Sequence, residues 1–425
     1  MAQDRASISV IVLSAYLPTL LFSAAEGTML PVLPNVAQDL GADLAFAGFV
    51  ASLVMVGKLL GDIPSGWLAA RFGERNAMLG ACGVSALSLL LAALAPTATV
   101  LGVAVLFMGM AEATFSVARH AFMTVAIPIT YRARALSTLG GTFRAGWVVG
   151  PFLAAGIIAI FGSPDSVFWF CLVFIAAVGV VLLLVPDPDR GNRPVSARRS
   201  ERSEAEAAEH RARTSVLHAA RSNWGTLWRL GSCAGVLQGL RTARQVLVPL
   251  WGVSLGLDPA VIALVVGIAA AVDFALFYAS GQLMDRFGRF WACVPPALGL
   301  GAGYLVLAFS GDFAAPAAWF VGISVVLALA NGLSSGVLMT LGADLAPAAH
   351  PAPFLGAWRF AADVGAAGVP LVVSLLTAVA SLAVASGVIG LFGFVGAVGF
   401  ARWLPRYLPA AARGRGGSAR PAPAV

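Results

Sequence analysis

Ionisable side chains lie inside stretches of this sequence that are otherwise apolar. They include four carboxylates and the only lysine of the chain, namely Glu26, Asp62, Glu112, Asp273 and Lys58. A carboxylate that is partly shielded from water can bind and release a proton near neutral pH. We therefore predict that the four carboxylates are proton-coupling sites. Glu26 ranks first among them because helix-breaking residues follow it directly.

Cationic and amide side chains form a second set. Arg241 and Arg244 are three residues apart and so share one face of a helix. Guanidinium and ammonium groups bind carboxylates or phosphates, which favours an organic anion as the substrate. Aromatic residues such as Trp147 in the same stretches favour an apolar, drug-like ligand instead. The predicted substrate cavity is lined by Lys58, Arg241, Arg244, Gln245 and Asn331.

These groups need elements that hold them within a membrane. With 59% hydrophobic and 11% charged residues and a mean hydropathy of +0.87, the chain is too apolar for a soluble globule. An isolated charge at the centre of a span costs about 2.5–3.5 kcal/mol, so most of the charges must pair or face water. Stretches that can cross about 30 Å of hydrocarbon predict twelve helices, near 8–33, 45–69, 76–95, 100–127, 137–161, 167–185, 225–253, 259–284, 290–309, 316–341, 354–379 and 381–404.

The polar segments predict topology and domain limits. Arginines concentrate in alternate loops and aspartates in the others, which places both termini in the cytoplasm of a multi-pass protein of the plasma (inner) membrane. We predict six-helix halves at 1–185 and 224–405, a cytoplasmic linker at 186–223 and a disordered cytoplasmic tail at 406–425. All four cysteines fall inside predicted helices, so neither a disulfide nor a metal site is expected.

A short motif occurs twice, as GWLAARFGER at 66–75 and GQLMDRFGR at 281–289, each time at the end of an apolar stretch. Matching copies indicate two pseudo-symmetric halves. The motif resembles the cytoplasmic loop signature of the major facilitator superfamily (MFS). The resemblance covers about residues 8–405. It implies an all-α integral membrane protein with twelve transmembrane helices in two six-helix halves and a central cavity that opens to alternate sides.

The same resemblance implies a cytoplasmic gate. The residues that match it in the two loops and in the fifth and eleventh spans are Gly66, Arg71, Gly73, Arg75, Gly281, Asp285, Arg286, Gly288, Arg289, Arg144, Arg359 and Asp363. Arg144 is the expected partner of Asp285. Arg359 and Asp363 are one turn apart and could instead neutralise each other. The first loop has Ala70 where the superfamily has Asp, which removes an acidic partner from this gate.

A second motif lies in the fifth span. Gly146, Gly150, Pro151 and Gly156 resemble a signature, G-x3-G-P, of the superfamily's exporters. The chain departs from the full pattern because alanines stand at 154–155, where the signature has paired glycines. The resemblance implies an antiporter of the drug:proton kind.

These features predict a proton-coupled secondary active transporter that exports small amphipathic or anionic organic compounds by alternating access. The expected partners are a small-molecule substrate, protons and the lipid bilayer, without nucleic acid, and the expected state is a monomer. No metal and no cofactor are expected, since the proton gradient supplies the energy. The sequence has no nucleophile elbow, HExxH or phosphate-binding loop, so an enzyme is not predicted. Two alternatives remain open, namely a proton symporter that imports an organic anion and a non-transporting receptor or scaffold.

Overall fold

The computed structural model of the chain describes residues 15–127, 129–184, 220–347 and 351–408. These residues form helices joined by short turns, and none of them is in a β-strand. Eleven of the helices are long and apolar enough to cross a membrane. The prediction of an all-α membrane protein is confirmed.

Twelve long helical segments follow one another in the described ranges. They are α1 (Leu17–Asp39), α2 (Leu44–Phe72), α3 (Glu74–Ala93), α4 (Ala98–Ala126), α5 (Ile129–Phe161), α6 (Ser166–Leu184), α7 (Ser232–Ser254), α8 (Pro259–Phe287), α9 (Arg289–Phe309), α10 (Pro316–Leu345), α11 (Pro351–Val379) and α12 (Leu382–Tyr407). A 3-10 turn, Leu30–Val32, interrupts α1, and residues 334–336 interrupt α10.

The irregular part of α1 follows from its prolines. Pro31 and Pro34 have no backbone N–H and cannot donate the hydrogen bonds of a regular α-helix. The chain adopts 3-10 geometry at Leu30–Val32 and returns to the α-helix at Leu33–Asp39. The helix therefore bends at this point rather than ending, and it continues beyond the predicted limit of residue 33.

The seventh segment, α7, has 23 residues and is long enough to cross a membrane, but it is less hydrophobic than the other eleven segments. Its middle turns carry Gln238, Arg241, Arg244 and Gln245, which lower its hydropathy below that of its neighbours. Polar side chains in a spanning helix face the protein interior or a water-filled cavity. A helical turn, Trp224–Thr226, and a π-helix, Leu227–Gly231, lead directly into α7, so the whole segment is helical close to its predicted limits of 225–253.

The described helices pack into two compact units. The first is formed by the described part of Met1–Arg211 with Gln245–Ala270 and Thr377–Val379. The second is formed by the described parts of Ala212–Arg244, Ala271–Leu376 and Ala380–Val425. The predicted division into 1–185 and 224–405 stays a prediction. Residues 186–219 of the predicted linker and the tail from residue 409 lie outside the described residues, while Arg406 and Tyr407 belong to α12.

Glycines set the distance between helices within each unit. In the first unit, a Cβ atom added to Gly61 would lie 2.7 Å from the Cα atom of Met110. In the second, a Cβ atom added to Gly393 of α12 would lie 2.5 Å from the Cα atom of Gly301 in α9. Such approaches are possible only with small residues at the contact, as in other membrane helices.

Candidate functional site

The first unit holds a cluster of three charged side chains from three helices. The Nζ atom of Lys58, on α2, lies 2.5 Å from Oε1 of Glu26 on α1 and 2.9 Å from Oε2 of Glu112 on α4. The side chain of Glu26 is 1% exposed and that of Glu112 is 10% exposed, while Lys58 is 22% exposed. Two predicted proton sites therefore share one ammonium group, and we call this group the Lys58 cluster.

Close helix packing brings these three side chains together. A Cβ atom at Gly57, next to Lys58, would collide with the carbonyl oxygen of Leu106, and one at Gly109 would collide with the carbonyl oxygen of Val54. The two glycines thus let the backbones of α2 and α4 approach closely. Because Glu112 is three residues after Gly109, it lies on the face of α4 that is turned toward α2.

Trp147 is a fourth member of the Lys58 cluster. Its indole Nε1 donates a hydrogen bond of 3.1 Å to Oε2 of Glu26, and Lys58 Nζ lies 5.7 Å from its ring centroid. Each oxygen of the Glu26 carboxylate thus has a donor. Sequence reasoning treated Trp147 only as aromatic surface, although its place directly after Gly146 in the fifth-span motif was a usable signal.

The fifth-span motif positions Trp147. A Cβ atom at Gly150 would lie 2.5 Å from the carbonyl carbon of Gly27, and one at Gly146 would lie 2.7 Å from the carbonyl oxygen of Leu20. A Cβ atom at Gly27, next to Glu26, would lie 3.1 Å from the carbonyl oxygen of Trp147. Three glycines therefore allow α5 to pack closely against α1 next to Glu26. Gly156 has nothing within 4 Å of its Cβ position.

Arg119 is a second buried cation of the first unit. It is 5% exposed and donates from Nη1 to Thr19 Oγ1 at 3.3 Å. Its guanidinium carbon lies 5.8 Å from the ring centroid of Phe115 and 5.7 Å from that of Phe143. Arg119 is also within electrostatic range of Glu26 and Glu112. Its charge therefore offsets part of the negative charge of the Lys58 cluster.

The second unit holds a cluster of the opposite arrangement, in which one carboxylate has two donors. Asp273 Oδ2, on α8, accepts from Arg244 Nη2 on α7 and from Asn331 Nδ2 on α10 at 2.5 Å. Asn331 Oδ1 accepts in turn from Arg241 Nε at 2.9 Å. Arg241 Nη1 also reaches Gln238 Oε1 at 3.5 Å. We call this group the Asp273 cluster.

Two further predicted site residues are close in the sequence to members of the two clusters. The Asp62 side chain is exposed, one turn beyond Lys58. The buried Oε1 atom of Gln245 has no hydrogen-bond partner in the described structure.

The two loop motifs share a backbone conformation. Gly73 and Gly288 end α2 and α8 with φ of 84° and 89°, values that glycine adopts at low cost. Gly66 and Gly281 have nothing within 4 Å of their Cβ positions. A positive-φ glycine thus turns the chain at the same place in both copies.

The arginines of the two loops make different contacts. Arg75 donates to the carbonyl oxygens of Leu182 and Leu183, at 2.7 and 2.9 Å. Arg289 Nε donates to Asp344 Oδ2 at 2.9 Å. The Nη1 atom of Arg289 lies 3.9 Å from Oδ1 of the exposed Asp285. The first loop is thus held by backbone oxygens alone in these contacts, whereas Arg289 combines an ion pair with a hydrogen bond to the carbonyl oxygen of Met284. Asp344 is a partner that the sequence did not predict.

The other predicted gating residues are mostly exposed. Arg71 lies 5.4 Å from the ring centroid of Trp67, and Arg286 lies 5.4 Å from that of Phe287. Arg359 and Asp363 are 3.7 Å apart, and Arg144 is half-buried. The gating role of these residues stays a prediction.

The apolar cavity and the cysteines of the described residues lie outside the two clusters. A cavity of about 530 Å³ lies between α9 and α10, and small apolar residues and Trp319 line it, without any predicted site residue. Within the described ranges, no group of three or more His, Cys, Asp or Glu residues could hold a metal ion. The four cysteines are free and buried.

The spanning helices define the chain as a multi-pass membrane protein. The chain belongs to the Major Facilitator Superfamily, whose family model matches residues 16–370. Membership confirms the family that the loop motif resembles. The family is one of membrane transporters, a class of protein that works without a cofactor. The narrower resemblance to drug:proton antiporters stays a prediction.

Individual relatives are distant. The chain is 24% identical over 170 residues to the uncharacterized MFS-type transporter YfkF of Bacillus subtilis (strain 168), a match that covers 40% of this chain and 43% of YfkF. It thus spans less than half the length of that relative.

Solved structures share the fold over nearly the whole chain. One is a POT family transporter in complex with a thioalcohol conjugated peptide, with a TM-score of 0.74, 13% identity and coverage of 94% of this chain and 96% of that one. A D-xylose-proton symporter has a TM-score of 0.69, 17% identity and coverage of 93% and 97%. At these identities the likeness concerns the fold alone.

Proposed function

We propose that this protein is a proton-coupled secondary active transporter of small organic compounds. The observation that carries the proposal is the contact of two buried carboxylates, Glu26 and Glu112, with the single ammonium group of Lys58. Moving one elementary charge through about 100 mV supplies about 2.3 kcal/mol, which corresponds to roughly a 50-fold gradient of a neutral solute.

Glu112 is the proton acceptor in this proposal. Glu26 receives hydrogen bonds on both oxygens, from Lys58 and from Trp147. Glu112 shares the same ammonium group at the longer distance of 2.9 Å. Geometry thus favours Glu112 over Glu26, although position in the sequence ranked Glu26 first.

Protonation of Glu112 changes the contacts between helices. A neutral Glu112 no longer attracts Lys58 strongly, so the ammonium group stays with Glu26 and the link between α2 and α4 weakens. Arg119 and Lys58 then face one ionised carboxylate in place of two. A local change of this kind can bias an alternating-access equilibrium, because α1, α2 and α4 all contribute to the cluster.

We propose that the protein exports its substrate by antiport with protons. We also propose that it lies in the plasma membrane with both termini in the cytoplasm. The support is the packing of Gly146 and Gly150 against α1, in the motif that resembles the exporter signature. Import with a proton is the second candidate, favoured by the Arg244–Asp273 pair and by a fold shared with a D-xylose-proton symporter. Measured flux would eliminate the receptor or scaffold alternative.

The experiment uses proteoliposomes with an imposed pH gradient and a trapped pH-sensitive dye, to which organic anions and lipophilic cations are added singly. Antiport predicts that an added compound drives protons out of acid-loaded vesicles while the compound accumulates inside. Entry of protons together with the compound would indicate symport. Glu112→Gln is expected to abolish proton movement, and Asp312→Asn, in an exposed turn, serves as the matched control. Unchanged proton movement in Glu112→Gln would contradict the proposal.

A further inference from the structure

We propose that the Asp273 cluster is a carboxylate-binding subsite, in which Asp273 occupies the place of the substrate's carboxylate on Arg244. The inference rests on the proposed transport of small organic compounds and narrows them to monocarboxylates. It assigns to Arg244 the role of anchor, to Asn331 the role of positioning residue and to Asp273 the role of an internal competitor.

The contact between Arg244 and Asp273 is incomplete on both sides. Arg244 uses Nη2 to contact Asp273 Oδ2, while its buried Nε has no hydrogen-bond partner. Asp273 Oδ1 is also buried without a partner. Arginine and carboxylate groups commonly form two parallel hydrogen bonds, which would use all four of these atoms. An arginine in this position retains an unused donor for a better-aligned carboxylate.

The Arg244–Asp273 pair is also partly exposed to solvent, unlike a fully buried structural ion pair. Arg244 is 14% exposed and Asp273 is 17% exposed, so part of each side chain is accessible, and the buried Nε of Arg244 becomes accessible when Asp273 turns away. Asn331 is fixed by its neighbours, since its oxygen accepts from Arg241 and its nitrogen donates to Asp273. This amide therefore presents an N–H group next to Arg244 whichever carboxylate is bound there.

These groups select the charge of the ligand. A carboxylate can take the Nε and Nη2 donors of Arg244 and the Nδ2 donor of Asn331 once Asp273 turns away. A cation would approach Asp273 against the repulsion of Arg244. A neutral amide would bring its own N–H donors toward donors of the site, so it is expected to bind far more weakly than its matched carboxylate.

The test measures equilibrium binding to the purified full-length chain in detergent, without a proton gradient. The probes are benzoate, phenylacetate and hexanoate, each compared with its amide. We expect at least one carboxylate to bind at least tenfold more tightly than its amide. Arg244→Gln/Asp273→Asn, which keeps a neutral pair of similar size, should lose at least tenfold in affinity for that carboxylate. Asp273→Asn alone should raise the affinity, because the internal competitor is gone.

Controls separate folding from binding. Arg229→Gln changes an arginine of the same unit that donates to Tyr407, and it should bind like the wild type. Thermal unfolding checks that every variant is folded. The proposal is overturned if no carboxylate binds more tightly than its amide, or if a folded Arg244→Gln/Asp273→Asn protein binds that carboxylate as the wild type does. Glu112→Gln should keep carboxylate binding while losing proton movement, so the two proposals fail separately.

Discussion

The two clusters use the same chemistry with opposite charges. In the Lys58 cluster, one cation is shared by two carboxylates, whereas in the Asp273 cluster one carboxylate is shared by a guanidinium and an amide. An excess of carboxylates around one ammonium group suits proton binding, because a single proton relieves their repulsion. An excess of donors around one carboxylate suits an anion. Under the two proposals, proton and substrate are therefore expected to bind to separate groups.

The largest expected effect comes from removal of the shared cation. Lys58→Ala leaves two buried carboxylates without their ammonium partner, and breaking a buried pair in this way is strongly destabilising, by about 3–5 kcal/mol. We expect proton-coupled flux to fall at least 100-fold. Lys58→Ala/Glu112→Gln should recover part of the stability but not the coupling. Thermal unfolding and vesicle flux measure the two effects, and a stable, coupled Lys58→Ala protein would contradict the proposed role of the cluster.

The close packing of α1 against α5 beside the Lys58 cluster gives the next largest expected effect on flux and stability. Gly150→Ala places a methyl group 2.5 Å from the Gly27 carbonyl carbon, which should separate α1 from α5 and cost about 1–3 kcal/mol. Flux is expected to fall about tenfold because Glu26 moves away from Trp147. Gly156→Ala is the matched control, since its Cβ position is open. Equal melting temperatures for the two variants would show that the close approach is unimportant.

A smaller change sharpens the role of Trp147. Trp147→Phe removes the indole donor to Glu26 and retains an aromatic ring beside Lys58. Because a hydrogen bond to a charged group contributes about 1.5–3 kcal/mol, Glu26 should then depend more on Lys58, the attraction of Lys58 for Glu112 should weaken, and the pH of half-maximal flux should rise. Trp169→Phe, an exposed tryptophan of α6, should leave the profile unchanged. A loss of flux at every pH, without a change in the pH of half-maximal flux, would indicate that Trp147 has a packing role only.

The smallest effect distinguishes the two loop motifs. Asp344→Asn removes the ion pair with Arg289, which is partly exposed and should contribute less than about 1 kcal/mol. The loss in melting temperature should shrink at high salt because ions screen such pairs. Leu182→Ala in the first unit leaves the carbonyl bonded to Arg75 in place, so its effect should not depend on salt. A salt-independent loss in Asp344→Asn would contradict the electrostatic explanation.

The sequence predicted the helices well because hydropathy and length decide which segments cross a membrane. It also identified Glu26, Lys58 and Glu112 individually as buried charges. It did not predict that they meet, because their contacts depend on the close approach of α2 and α4 at Gly57 and Gly109, which no local pattern reveals. Asp62 was predicted together with the other carboxylates because of its place in an apolar stretch, and only the structure shows that its side chain is exposed.

Trp147 and Asp344 were missed for different reasons. Aromatic residues in membrane helices commonly serve as packing or interface anchors, so nothing in its type singled out Trp147 as a donor to a carboxylate. Asp344 is 55 residues from Arg289 in the sequence, and only the folded second unit brings the two together.

Infrared difference spectroscopy of the purified protein across pH tests most directly whether the Lys58 cluster binds the proton. A protonated carboxyl band should appear over the pH range in which coupled flux changes. The band should be absent from Glu112→Gln and present in Asp312→Asn. The same band, with the same pH dependence, in a folded Glu112→Gln protein would contradict the assignment of the coupling proton to this cluster.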